Sequence, residues 1–374
     1  MSDEPLPIDP PPLARKFAWL TGVVGIALLA LAPVVTNGFT DWDDPHNVWL
    51  NPDFNPPTAD KVLSYWHKPL AELYIPVTYS VWGVASMLAT APHGALDPHV
   101  FHALNLLVHL GSAALVFLIL ELLGFSLPAA AIAAAVFAVH PVQVEAVAWV
   151  SGLKDVLCGF FSLLAIYFYL RAAIGASPKP RQALAMATAA FALALLAKPQ
   201  AVVVPLIVAA IDLAFLRRPL RRLAPLLLLW LVMSVVIAVV ARLVQPAQMS
   251  APLAPLWGRP LIAGDAIAFY LSKILLPMRL AVDYGRSPDK VLAGGRAMIT
   301  CAVAVLFIAA TAVVYRRWPR LGAAGAVFLI GLLPVLGFIP FSFQFYSTVA
   351  DHYLYLSMFG VALAMAWIVQ KVGL

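Results

Sequence analysis

Long apolar runs alternate with short polar seams along this chain. A bilayer is crossed by roughly 17–25 consecutive apolar residues in a helix. About ten runs fit, at 17–35, 101–123, 128–140, 153–171, 183–198, 200–216, 223–244, 297–315, 321–340 and 353–371, with 128–140 and 183–198 the short ones. The pattern predicts an all-α polytopic membrane protein, a bundle of about 10–11 transmembrane helices. Two intervening segments, 36–98 and 245–296, are too long for simple turns. Each contains an apolar helical stretch, 70–89 and 262–276. These are expected to lie in the membrane interface, with Trp66, Tyr74, Tyr79 and Trp82 as an aromatic belt. A further span or hairpin at each is the alternative.

The charges orient this pattern. Arg15 and Lys16 precede the first run, which places a tail of residues 1–16 on the cytosolic side. Alternation then puts Arg171, Lys179 and Arg181, then Arg217, Arg218, Arg221 and Arg222, then Arg316, Arg317 and Arg320, and finally Lys371 on that same side. The acids do the reverse. Of 18 Asp and Glu residues, 13 fall on or near the outer side, which leaves Asp3, Glu4, Asp9, Glu121 and Asp212 inside. The chemistry is therefore expected to face away from the cytosol.

Composition narrows the classes. With 63% hydrophobic and 11% charged residues and a mean hydropathy of +0.90, a single soluble core is excluded, since soluble domains carry roughly 25% charged residues. The net charge of +6 does not indicate nucleic acid, because of how the charges are distributed. Cys158 and Cys301 lie inside apolar runs and read as buried small hydrophobes rather than a disulfide or metal pair. The run 17–35 reads as a retained anchor: Pro33 follows the cleavage-like Ala30-Leu31-Ala32, and the run is long for a signal peptide.

The candidate chemistry sits in the outer seams. Thr40-Asp41-Trp42-Asp43-Asp44-Pro45-His46-Asn47 follows directly on the first run. Carboxylates at the mouth of a span are expensive to desolvate and mark working sites. Asp43 or Asp44 can take a proton from an attacking hydroxyl within hydrogen-bond reach; a solvated, helix-capping loop is the plainer reading. A second constellation runs from His140 to Asp155 and brings His140, Glu145, Lys154 and Asp155 to the outer end of two consecutive runs. Lys154 could hold a phosphate there, with Lys68, Lys198, Arg286 and His352 as accessory cations; singly, each also reads as a snorkelling anchor. His99, His102, His109 and His140 lack a His-x-x-x-His or Cys pair, so no metal site is assigned.

The order of motifs then resembles a known family. It runs Phe39-x-x-Trp42-Asp43-Asp44, Lys68-Pro69-Leu70, Phe101-His102-x-x-Asn105-Leu106-Leu107-x-His109, His140-Pro141-x-x-x-Glu145-Ala146-Val147-Ala148-Trp149 and Gly152-x-x-Asp155-x-Leu157. Leu195-x-x-Lys198, Pro205 with Asp212, Asp283-Tyr284 and Ala350-Asp351-x-Tyr353-Leu354-Tyr355 follow. This is similar to the membrane half of the transmembrane and tetratricopeptide-repeat (TMTC) O-mannosyltransferases and their bacterial homologues, in the GT-C glycosyltransferase superfamily, from about residue 17 to 371. The resemblance implies a GT-C-like catalytic domain over 17–374 in a bacterial inner membrane, its site facing the periplasm. It implies inverting transfer of mannose or a similar hexose from a polyprenyl-phosphate carrier to a protein Ser/Thr or glycan hydroxyl, with no further cofactor. The superfamily's catalytic base maps onto Asp43, with Asp44 beside it. The chain departs from the family at Lys68, Leu153 and His352, where Arg is usual, and at Pro199, where Glu is usual; Lys and His do not reproduce a bidentate guanidinium clamp. No tetratricopeptide repeat is expected within these 374 residues, so acceptor recognition by such repeats is expected to be absent or supplied by another chain.

Two other functions compete: an ion-coupled transporter or lipid-linked sugar flippase, and an inactive scaffold of the same fold. A transporter should carry mid-bilayer ionisable residues and repeat symmetry.

Overall fold

A computed structural model describes residues 12–70, 72–90, 94–245 and 254–373. Residues 1–11 of the expected cytosolic tail, and parts of both long outer segments, lie outside the described residues. The described chain is helical, with no strand. It comprises α1 (Leu13–Leu31), α2 (Ala59–Ser64), α3 (Pro76–Ala89), α4 (Pro98–Leu122), α5 (Leu127–Val139), α6 (Val144–Ala148), α7 (Leu153–Ala173) and α8 (Pro180–Ala197). These are followed by α9 (Val204–Ile211), α10 (Leu220–Val244), α11 (Arg259–Leu275), α12 (Pro288–Ala293), α13 (Ala297–Arg317), α14 (Pro319–Leu332) and α15 (Met358–Val372). Proline opens many of them, at the position where its missing N–H costs nothing. Side chains complete the starts of others: Ser126 accepts from Ala129 N at α5, and Asp97 from His99 N at α4.

Each of the ten apolar runs contains helix, eight of them over nearly their whole length, and the protein is an all-α polytopic membrane protein. Among the described residues seven helices are long and apolar enough to cross a membrane, or eight if Leu127–Val139 and Pro141–Ala148 form one span bent by 50°. The expected count of 10–11 is reached only with shorter helices. The run 321–340 loses its helix at Leu332, where Pro334, Gly337 and Pro340 follow. The run 353–371 becomes α-helical only at Met358. Between them, residues 333–357 form an irregular segment with isolated single turns at Leu333–Val335, Ser342–Phe345 and Asp351–Leu354. Ser347, Thr348, Val349, Ala350 and Asp351 in it are all buried. Non-helical backbone near membrane depth is tolerated only inside protein or along a cavity, so an apolar run read as spans supplies a wall of the site. α3 and α11, the two expected interfacial helices, have 14 and 17 residues. α3 packs on α4 and α8, α11 on α13.

Helix contacts build one continuous core. α7 lies between α4 and α8, α5 between α1, α4 and α15, and α14 between α9, α13 and α15. The interfaces are rich in small residues, such as Ala129, Ala130, Ala133, Ala134 and Ala138 of α5 and Ala187, Ala190 and Ala194 of α8. Close backbone approach replaces the hydrophobic drive that lipid removes.

Polar ties gather at the two ends of this bundle. At one end Lys16 of α1 meets Glu121 of α4 at 2.8 Å. At the same end Asp212 binds Arg218 and Tyr169, Gln370 accepts from Ser126 N, and Arg320 lies over Phe215. The Lys/Arg clusters at the N-termini of α1, α8, α10 and α14 and at the C-termini of α7, α13 and α15 fall there. At the opposite end the seams after α1, α5, α8 and α14 converge.

Candidate functional site

The seam after α1 is fixed first by His102 of α4, whose Nε2 lies 3.1 Å from Gly38 O. The chain then turns so that Asp44 points inward and Asp43 outward. Asp44 is completely buried. Its Oδ2 accepts from Thr40 N and Oγ1, both at 2.9 Å, and its Oδ1 from Ser151 N and Oγ at 2.9 and 2.7 Å. Asn47 donates to the Ser151 hydroxyl at 3.0 Å. Asp44 is thus a clamp between two seams 107 residues apart. Its oxygens are buried and engaged with four donors, an arrangement that holds the seam in place and orients Asp43 beside it.

The clamp positions the start of α7. Asn105 donates to Trp149 O at 2.7 Å, and Ser151 and Gly152 pass directly into Lys154 and Asp155. Lys154 Nζ lies 3.6 Å from Asp43 Oδ2 and 5.0 Å from the centre of the Trp149 ring. The Lys154 side chain is 10% exposed and that of Asp43 43%. At the end of α8, Lys198 Nζ bonds Asp155 Oδ1 at 2.5 Å and lies over the Tyr353 ring. Gln200 donates to Tyr353 O, which draws the irregular segment onto the same end.

Glu145 closes the other side. Its Oε2 accepts from His352 N and its Oε1 pairs with His352 Nδ1, each at 2.9 Å. Burial pushes the His352 imidazole down to about 3, so the ring is neutral, and it pushes the Glu145 carboxyl up to about 7, so the two share one proton between Nδ1 and Oε1. Trp149 and Tyr353 flank that ring. Six sequence candidates therefore share one cluster, within electrostatic reach of one another: Asp43, Glu145, Lys154, Asp155, Lys198 and His352.

The other candidates are placed differently. His140 caps the turn after α5 by accepting from Val142 N, and its Nε2 meets Ile274 O at 3.1 Å, tying that turn to the end of α11. Arg286 pairs with Asp265 at 2.5 Å and lies over Phe269; its backbone oxygen accepts from Thr348 N. Lys68 is 51% exposed and pairs with Asp53 beside Tyr65. These three side chains have structural partners of their own, so the expected ring of Lys154 and four accessory cations around one headgroup contracts to Lys154 and Lys198 with His352 alongside. Among the described residues no three His, Cys, Asp or Glu side chains converge as a metal ion would require.

A flanking pair escaped the candidate list. Tyr284 donates its hydroxyl to Asp351, 3.0 and 2.8 Å from the two oxygens. Burial pushes the Asp351 carboxyl up to about 6, an effect opposed by the Tyr284 bond and reinforced by Glu145 nearby. Lys273 lies over the Tyr284 ring, bound to Met278 O and Arg279 O. Their spacing of 67 residues hid the pair, although both stand in motifs noted in the sequence.

No protein-family model matches the chain. The chain is 29% identical over 160 residues to human protein O-mannosyl-transferase TMTC3, covering 41% of this chain and 17% of that protein. It is 30% identical over 176 residues to human protein O-mannosyl-transferase TMTC4 (41% and 23%), and 33% identical over 134 residues to mouse protein O-mannosyl-transferase TMTC1 (34% and 14%). The match spans less than a quarter of each relative's length. These likenesses support a TMTC-type relationship for this chain.

Proposed function

We propose that this protein is an integral-membrane inverting glycosyltransferase that moves mannose or a similar hexose from a polyprenyl-phosphate carrier to a hydroxyl on a protein or glycan. The observation that carries the reading is the pairing of a half-exposed carboxylate, Asp43, with a buried ammonium, Lys154, at the end of the bundle away from the Lys/Arg clusters. By the positive-inside rule that end is outside the cytosol, in a bacterial setting the periplasmic face. Charged side chains concentrated at the ends of the bundle favour this over ion-coupled transport, which needs them at mid-bilayer.

In the reaction the acceptor oxygen attacks the anomeric carbon as the bond from that carbon to the phosphate oxygen breaks. The hydroxyl proton goes to Asp43, and the electron pair stays on the departing polyprenyl phosphate. Lys154 and Lys198 neutralise charge on that phosphate. Asp44 and Ser151 hold Asp43 against Lys154. Glu145, both of whose oxygens are engaged by His352, holds the irregular segment.

The test is transfer of radiolabelled mannose from polyprenyl phosphate to Ser/Thr peptides or glycans by the purified protein. Asp43→Asn is expected to lower turnover by about 10²–10⁴-fold, the range of a positioned general base, with donor binding no weaker than in the wild type. Lys154→Ala should weaken donor binding more than Arg320→Ala at the opposite end. Wild-type turnover in Asp43→Asn with a folded, inactive Glu145→Gln would transfer the base to Glu145.

A further inference from the structure

We infer that Lys154 changes partners during the cycle: it holds Asp43 in the resting site, and an arriving phosphoester takes it, so that the donor frees Asp43 for the acceptor hydroxyl. The inference rests on the proposed function and deepens it by fixing the order in which the two substrates engage.

The two ion pairs of the cluster are built differently. Lys198 and Asp155 sit at 2.5 Å, with side chains 14% and 1% exposed. Both are held in place: Asp155 opens α7, and Lys198 caps α8 with its ammonium against Tyr353. That pair is a fixture. Lys154 and Asp43 are 3.6 Å apart, longer than a hydrogen bond, and Asp43 faces the opening. Asp43, 43% exposed, can turn to water when the pair parts, so the cost of parting falls on the ammonium. A buried ammonium needs an anion beside it, and without donor Asp43 is that anion. A phosphoester oxygen replaces it with a stronger, charge-assisted bond. The Trp149 ring 5.0 Å from Nζ keeps the ammonium at the site through the exchange.

The direction of charge movement matches. As the acceptor proton reaches Asp43, that carboxylate loses its negative charge, while the departing phosphate gains one. Lys154 stands beside the group that loses charge and within the cluster proposed to receive the group that gains it. Before donor binding Asp43 is engaged by the ammonium, so a hydroxyl arriving first, water included, finds the base occupied.

Undecaprenyl monophosphate binding to the purified full chain in detergent separates the cases. Asp43→Asn removes the competitor for Lys154 and should tighten binding by about threefold or more. In a Lys154→Gln background the same substitution should give no gain, the coupling that a double-mutant cycle isolates. Lys154→Arg, which keeps the cation, should retain the gain and serves as the folding control. Unchanged or weaker binding in Asp43→Asn would overturn the exchange, and so would equal gains in the Gln and wild-type backgrounds, which mark plain charge repulsion. Either result leaves the phosphate site standing. Wild-type affinity in Lys154→Gln would remove the phosphate site itself, and the exchange with it.

Discussion

At the scale of single residues, adjacent acids do unlike work. Asp43 and Asp44 are neighbours in sequence, yet one is half-exposed beside an ammonium and the other is buried among four donors. Asp44→Ala would strand the buried Ser151 N, and a buried unsatisfied donor costs about 1–3 kcal/mol. Its melting temperature in detergent should fall well below that of Asp43→Ala; equal melting points would count against the clamp. Asp351 makes one pH-dependent contribution. Burial raises its carboxyl from 3.8 to about 6, so between those values the folded protein holds a proton that the unfolded chain has released. The sign for this group follows: its contribution to stability is greatest below about pH 4, falls by up to about 3 kcal/mol as pH rises through the window, and is flat above it, while His352, held neutral by burial, contributes in the opposite direction as pH falls. Asp351→Asn keeps an oxygen for the Tyr284 hydroxyl and should raise the melting temperature at pH 7.5, with the pH 4–6 slope diminished. A melting temperature lowered equally at pH 4 and pH 7.5 would contradict this. The polar seams made these acids legible as candidates; which of them faces a substrate depends on Ser151, Tyr284 and His352, far away in sequence.

At the scale of elements, the site is made where helices break. α5 ends at Pro141, which has no N–H to donate, and the imidazole of His109 from α4 stands 2.9 Å from Ala138 O with Tyr355 at its other nitrogen. The turns that follow are compact. A Cβ on Gly152 would stand 2.3 Å from Ala146 O, a backbone atom that cannot yield. Gly152→Ala is therefore expected to displace Lys154 and to abolish donor binding with a lowered melting temperature. Gly22→Ala in α1, where a Cβ would meet nothing within 4 Å, should be neutral to slightly stabilising. Donor affinity unaltered in Gly152→Ala would show that the turn tolerates expansion. Hydropathy read the helices well and their ends less well: 333–340 is apolar but not helical, because its prolines and glycine outweigh its transfer energy.

At the scale of the whole molecule, the bundle has two chemically distinct ends, and charge segregation orients them. Exposed cysteines at Asp60 and Lys179, in a background lacking Cys158 and Cys301, lie at opposite ends. In intact cells an impermeant thiol reagent should label Asp60→Cys and spare Lys179→Cys; the reverse pattern would invert the topology. The alternating seams predicted this arrangement: Lys16–Glu121 at one end and Asp44–Ser151 at the other each join seams that alternation places on the same side.

The sequence by itself determined the class, the helices and the segregation of acids from cations, because transfer of each run from water to lipid depends on its own composition. It also singled out Asp43, Glu145, Lys154 and Asp155, since charges next to apolar runs stand out wherever the chain goes. The tertiary structure alone decided which of them meet. Lys198 reaches Asp155 across 43 residues, and His352 reaches Glu145 across 207. It also decided that Lys68, His140 and Arg286 turn to other partners. Such choices follow from helix packing and from the need of each buried polar group for a neighbour, and that neighbour is fixed by distance in space.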